Sequence, residues 1–308
     1  MKFSLHIPLG DTTTGQFQSI EAIAQMTQAL EKAKVDACCV TDHPAPDAQW
    51  LHANGHDALD PFTALAFVAM ASTTLRLHTS VVVLPYRNPF VTAKAATTLQ
   101  VLSGGRLILG VGAGYQKGEF DALGINFHKR GALTDEALEV LRLAWGGGVV
   151  IKQGSNFNAV GNEPRPAPNP PPTVWIGGSS DKAVERAALW GDGWSPFFSR
   201  PTQTTANQVA GIQNVAQLGE KIKVLHELRA KLGKTEPFDV AIDPNRRPKA
   251  NTREEADRFL EVLGELAAVG VSWAMVDLLH PSRAAWLESV QWFGEEVIAR
   301  ARARAKWS

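Results

Sequence analysis

Cysteine is nearly missing from this chain. Cys38 and Cys39 are the only two, adjacent in a predicted strand where alternation sends them to opposite faces. No disulfide framework can be built from such a pair, which points to a reducing, cytoplasmic compartment. A charge excess is missing too. Lys plus Arg and Asp plus Glu each number 31, for a net charge of zero, which argues against nucleic acid as a partner. No apolar run approaches the ~18 residues that a membrane span requires, so no membrane association is expected. Met1 leads straight into a predicted strand, Lys2 to Ile7, rather than into a charged-then-apolar leader.

Several catalytic signatures are absent as well. No Gly-x-Ser-x-Gly elbow presents a nucleophilic serine. His43, His52, His56, Asp57 and Asp60 crowd together in sequence, but metallohydrolase barrels draw their ligands from a His-x-His pair on strand one and from strands five and six. Here strand one offers only His6, and Val174 to Phe198 holds no histidine, so no metal site is expected. No short internal repeat is present, which excludes a solenoid.

What remains is a long chain with ample core material: 308 residues, 44% hydrophobic and 20% charged. Its organising stretch runs from Leu75 to Pro85, through a helical segment from Phe90 to Leu102, into Leu107 to Tyr115. Two short apolar runs, each ending in small residues, flank a helix that stops at Ser103-Gly104-Gly105; this is the pattern of buried parallel strands joined by a crossover helix. The same unit repeats along the chain. Strands are predicted at Phe3 to Ile7, Ala37 to Thr41, the pair just described, Thr173 to Ile176, Gly193 to Phe197, Phe238 to Ile242 and Ser272 to Leu279. Helices follow each, including Phe17 to Lys34, one opening at Asp60-Pro61, Lys117 to Leu123 with Arg130 to Trp145, Thr205 to Leu232, and Arg283 to about Ala303.

Eight strand–helix units with no antiparallel hairpin signal predict an α/β fold, a (β/α)8 TIM barrel. The Gly- and Pro-rich stretch at about 146–172 is read as an insertion between strands 4 and 5 of a single domain spanning 1–308, because Thr173 resumes the strand pattern at once. A doubly wound sheet is the rival; it calls for a phosphate fingerprint after strand one.

Barrel sites are built from the loops after the strands. That places Asp42, His43, Ser80, Gly112 to Tyr115, Gly177 to Ser180 and Asp277 at the candidate site. Gly110-Val-Gly112-Ala-Gly114-Tyr-Gln-Lys fails the G-x-G-x-x-G test, since Tyr115 and Lys117 fall where the last glycine belongs. Its small residues either pack the backbone closely or admit a ring or phosphate. Gly177-Gly-Ser-Ser-Asp181 carries two more glycines than a simple N-cap needs, and its amides at a helix start predict an anion cradle. His43, at the end of strand two, is the predicted catalytic group, since imidazole alone ionises near neutrality without perturbation.

These motifs together resemble the bacterial luciferase-like monooxygenase superfamily of flavin-dependent (β/α)8 barrels. The resemblance rests on Val40-Thr-Asp-His43, Leu77 to Pro89, Ser103 to Gly114, Ala132 to Leu141, Val174-Trp-Ile-Gly-Gly178 and Gly191-Asp-Gly-Trp194, covering about residues 1 to 200. It is most similar to the branch that uses coenzyme F-420, a 5-deazaflavin; FMN is the alternative cofactor. The resemblance implies a non-proline cis peptide at Ser80–Val81 whose bulge backs the cofactor ring. It implies phosphate binding by the loops after strands four and five. The cofactor-binding residues are then Asp42, Thr79, Ser80, Val81, Gly112, Ala113, Gly114, Gly177, Gly178 and Ser179. His43 and Tyr115 become the catalytic candidates. Tyr115 departs from the Glu of related sugar-phosphate dehydrogenases, so their acid–base scheme is not carried over. The expected activity is hydride exchange between F-420 and a small-molecule substrate, with oxygenation by reduced FMN as one alternative and a flavin-binding barrel without turnover as another. A homodimer is compatible with the resemblance.

Overall fold

The computed structural model describes residues 1–53, 55–199, 211–279 and 281–304. Ten strands are assigned in these residues: β1 (Lys2–His6), β2 (Ala37–Val40), β3 (Arg76–Val83), β4 (Leu107–Gly112), β5 (Val150–Gln153), β6 (Asn158–Asn162), β7 (Thr173–Gly177), β8 (Gly193–Ser195), β9 (Asp239–Ile242) and β10 (Trp273–Val276). Eight of them close a parallel barrel in the order β1-β10-β9-β8-β7-β4-β3-β2. The barrel and its strand–helix alternation are as the apolar runs predict.

The helices are α1 (Ile20–Lys32), α2 (Ala48–Ala53), α3 (Pro61–Ala71), α4 (Pro89–Leu102), α5 (Lys117–Ala122), α6 (Arg130–Trp145), α7 (Asp181–Trp190), α8 (Val215–Lys231), α9 (Arg253–Ala268), α10 (Arg283–Trp292) and α11 (Ala299–Arg302), with a π-turn at Phe293–Ile298 joining the last two. Most begin where a short polar side chain can accept from the first turn's amides. Ser19 caps α1, Asp60 and Pro61 start α3, Asn88 and Pro89 start α4, and Ser180 caps α7. The predicted helix from Thr205 is shorter than expected: Asn214 caps it, and α8 starts at Val215. Positions 205–210 lie outside the described residues.

Two departures concern loops. The stretch after β2, where the sequence predicts no helix before Asp60, contains α2, which sets Trp50 against the His43 ring. The insertion between β4 and β7 contains an antiparallel hairpin, β5–β6, where no hairpin was expected. Its strands are too short, and too close to flanking Gly and Pro, to show alternation on their own. It is held from outside the barrel: Lys152 pairs with Glu139 of α6 at 2.7 Å, and Phe157 meets Phe90 of α4 edge-on at 5.3 Å.

Alternation explains how the barrel interior divides into two layers. Ala37, Ile108, Trp175, Ala241 and Trp273 form one interior cluster, with Trp175 and Trp273 crossing edge-to-face at 5.0 Å. His78 joins it, 4.8 Å from Trp175, with Nδ1 3.0 Å from Ser4 Oγ. Burial, with a smaller contribution from Arg76, pushes the His78 pKa down to about 3, so the ring is neutral. Two residues further along the same strands come Cys39, Ser80 and Met275. Trp175, Trp273 and His78 fill the lower layer, and the unringed side chains of Cys39, Ser80 and Met275 the upper one, so the barrel is plugged below and open above.

Candidate active site

The open upper layer is a cavity of about 680 Å³ at the C-terminal strand ends. Its wall includes Thr41 after β2, Ser80 on β3, Asp243 after β9, and Met275 and Asp277 at the end of β10. Met275 forms part of the floor, its Sδ 3.6 Å from Ser195 Oγ and 3.9 Å from Ser80 Oγ. Asp277 pairs with Arg247. Cys39 also faces this space while Cys38 packs among the core side chains, which is the predicted split of the pair. Burial raises the Cys39 pKa to about 12, so it holds its proton and is not a nucleophile. Among the described residues no group of three or more His, Cys, Asp or Glu is placed to hold a metal ion.

The β3 wall is irregular. Between the Thr79–Leu109 and Val82–Val111 pairs, β3 advances three residues while β4 advances two, a bulge centred on Ser80 and Val81. The Ser80–Val81 peptide is cis, as the resemblance implies. The neighbouring glycines make room for this bulge. A Cβ on Gly112 would sit 2.9 Å from Val81 Cγ2, and one on Gly177 would sit 3.2 Å from Val81 Cγ1. Those two glycines therefore accommodate a side chain of the protein itself. Thr79 lies below the bulge and is buried; its hydroxyl donates to Gly110 O at 2.8 Å, so it fastens β3 to β4 instead of facing the cavity.

Asp42 is also turned inward. Its buried carboxylate accepts from Val83 N at 3.0 Å and from both Arg87 terminal nitrogens at 2.6 and 2.7 Å. This bidentate pair anchors the end of the bulged strand to the end of β2. Asp42 thus acts on the wall behind Ser80.

The Gly177–Ser180 loop is only partly an amide cradle. Gly178 N–H donates to Ser195 O at 3.1 Å, and Gly178 O accepts from Trp194 Nε1 at 2.8 Å. Gly178 is needed because its φ is +116°, a conformation that side chains disfavour. Ser179 Oγ donates to Phe197 O and accepts from Phe197 N, both at 2.9 Å, which ties the loop to the segment after β8. Gly114, at φ +78°, turns the chain after β4 against Val83 and Phe120; Ala113 precedes it.

His43 does not line the cavity. Its side chain is 9% exposed and sits one layer back, with Trp50 of α2 at 4.6 Å between ring centroids and His56 at 5.2 Å. His56 itself faces the cavity, and burial lowers its pKa, which keeps it neutral. Tyr115 is about a third exposed, its ring 6.2 Å from that of His43. His43 thus sits behind the Trp50 and His56 rings rather than on the cavity wall.

Behind His43 lies a group that local reading missed. Glu119, on α5, is buried; its Oε2 is 3.2 Å from His43 Nδ1 and accepts from Tyr86 Oη at 2.9 Å, and its Oε1 accepts from Ala45 N at 3.3 Å. Gln116 Nε2 is 3.1 Å from the same His43 Nδ1. Burial, then Glu119, raises the Tyr86 pKa, so that hydroxyl remains a donor. The sequence held one signal: Glu119 lies in the predicted helix Lys117 to Leu123, directly after the Gly112 to Tyr115 loop already singled out.

Comparison with known proteins fits this geometry. A model of the family described as luciferase-like monooxygenase matches residues 1–236. An uncharacterized protein of Mycobacterium tuberculosis is 30% identical over 197 residues, 64% of this chain and 63% of its own length. The chain thus spans less than two thirds of that relative. An F420-dependent hydroxymycolic acid dehydrogenase of the same organism is 29% identical over 183 residues, 58% of this chain and 49% of the relative. Among solved structures, an F420-dependent secondary alcohol dehydrogenase in complex with an F420-acetone adduct superposes with a TM-score of 0.73 at 18% identity, covering 97% of this chain and 98% of that one. At that identity the likeness is one of fold.

Proposed function

Given that the chain belongs to the luciferase-like monooxygenase family, we propose that it is an oxidoreductase using the deazaflavin F-420 to exchange a hydride with a small organic substrate. The observation that carries this is the bulged β3 wall, Ser80 and Val81, set into a 680 Å³ cavity with its outer side seated in Gly112 and Gly177. A flat tricyclic ring needs a rigid backing of this kind, and a cavity of this size suits the ring and a small substrate together. The dehydrogenase relative from Mycobacterium tuberculosis supports the deazaflavin over FMN.

In this proposal Ser80 and Val81 back the ring, held by Asp42 and Arg87 from behind and by Thr79 from below. Ala113 and Gly114 after β4, with Gly177 to Ser179 before α7, hold the phosphate, where the helix start favours an anion. Gly178 contributes the turn and Ser179 the rigidity of that loop. When bound, the cofactor would supply two-electron hydride chemistry, because its ring has carbon in place of the flavin's N5, the position that carries the hydride. His43 is the proton-handling group, reached once the Trp50 and His56 side chains yield to the substrate. Tyr115, on the outer side of His43, bounds the substrate.

Titrating the protein with F-420 and with FMN side by side, then following oxidation of the bound reduced cofactor by a panel of carbonyl substrates, tests this. F-420 is expected to bind at least about tenfold tighter than FMN and to turn over with a panel member. Preference for FMN with oxygen consumption would overturn the cofactor assignment. Tight F-420 binding with no turnover across the panel would overturn the enzymatic one.

A further inference from the structure

Both hydrogen-bonding contacts of the His43 ring fall on Nδ1, and among the described residues none falls on Nε2. Which ring nitrogen carries the proton is set by what the other faces. Here Nδ1 faces a carboxylate oxygen of Glu119 at 3.2 Å. That carboxylate already has a donor on each oxygen, Tyr86 Oη on Oε2 and Ala45 N on Oε1, as suits an ionised acid. A bare Nδ1 would set its lone pair against those of a buried carboxylate, where repulsion is poorly screened.

Gln116 bears on the same choice. Its side chain is buried, and its Oε1 has no hydrogen-bond partner while its Nε2 points at Nδ1. Amide oxygen and nitrogen are interchangeable by a half-turn. As placed, Gln116 Nε2–H suits a bare Nδ1; turned by a half-turn, its Oε1 accepts from Nδ1–H instead, which gives the orphaned oxygen a partner. The two neighbours of Nδ1 are then both acceptors.

We infer that Glu119 is a positioning residue that holds His43 as the Nδ1–H tautomer and so leaves Nε2 bare to accept a proton. This rests on the proposed role of His43, but its geometry does not involve the cofactor. The Nδ1–H bond to Glu119 stays in place while Nε2 gains its proton, and the resulting imidazolium is neutralised by the carboxylate it already touches. His43 therefore enters substrate oxidation as a base, and in the reverse, carbonyl-reducing direction the imidazolium held by Glu119 returns that proton to the substrate oxygen, with Glu119 never contacting substrate. Water ordinarily favours the opposite tautomer of a neutral imidazole, so the device has a spectroscopic signature.

The test is 15N NMR of histidine-labelled protein without cofactor, above the pH at which the rings titrate, with the His43 signals assigned by their loss in His43→Asn. Wild-type protein should show Nδ1–H and a bare Nε2. In Glu119→Gln and Glu119→Ala the Nε2–H tautomer should become at least equal in population. In turnover assays the same variants should lose about tenfold or more in kcat with KM changed less than about threefold. A wild-type spectrum dominated by Nε2–H overturns the inference, and so do folded variants with the wild-type tautomer ratio. If neither variant folds, the wild-type spectrum alone decides. Failure of F-420 to bind or turn over would overturn the function proposed above and leave the tautomer measurement standing by itself.

Discussion

Lowering the pH from 7 to 5 should destabilise this protein through one buried ring, His78. The ring lies in the lower layer of the barrel beside Trp175, with no solvent contact, and its Nε2 has no partner. Burial and the nearby Arg76 place its pKa at about 3, against 6.5 in the unfolded chain. Between those values the unfolded chain binds a proton that the folded one refuses. Stability from this group is full above pH 6.5 and is lost progressively as the pH falls toward 3. At pH 5 the distance below 6.5 is about 1.5 units, which at ~1.4 kcal/mol per unit amounts to about 2 kcal/mol. The assay is urea unfolding at pH 7 and pH 5 for the parent and for His78→Gln, which has no proton to take up. The parent should lose about 2 kcal/mol more than the variant over this interval. Equal losses, within about 0.5 kcal/mol, would show that His78 is hydrated or already charged in the folded state and would refute the reasoning.

Three further outcomes follow from the site. Arg87→Ala should leave the Asp42 carboxylate buried with only Val83 N–H and cost about 3–5 kcal/mol in urea unfolding; a loss below about 1 kcal/mol would mean the pair is no clamp. Gly112→Ala should press on Val81 Cγ2 and destabilise by about 1–3 kcal/mol, with most of that loss recovered in the double variant with Val81→Ala. No coupling between the two would mean that Gly112 serves something other than seating the bulge. His43→Ala, with cofactor bound, should lower turnover by about 10²-fold or more; full activity would make Tyr115 or Asp277 the next candidate.

Much of the architecture was legible because it depends on local pattern. Apolar runs of four to eight residues ending in small or polar groups mark buried strands whatever their partners are, and Asp60-Pro61, Asn88-Pro89 and Ser180 start helices by contacts within one turn. The β5–β6 hairpin and α2 escaped notice for the same reason: each is short and gains its order from what it lies against. The glycines show the limit most clearly. Gly112, Gly177 and Gly178 read in the sequence as places where a ring or phosphate could approach the backbone; what the protein itself sets beside them is visible only in the fold. At Gly112 it is Val81, and at Gly177 the Val111 carbonyl together with Val81; at Gly178 it is the backbone turn, whose amide is already bonded to Ser195.

By itself the sequence determined that this chain forms eight parallel strand–helix units and that residues at their C-terminal ends meet at one mouth, because side-chain period and helix capping act within a few residues. Only the tertiary structure decided which of those residues face the cavity. Asp42 is drawn inward by Arg87, 45 positions away, and His43 is backed by Glu119, 76 positions away, while Trp50 and His56 close over it. These pairings depend on strand register and on one extra residue in β3. Register is a relation between segments, and no local stretch of sequence carries it.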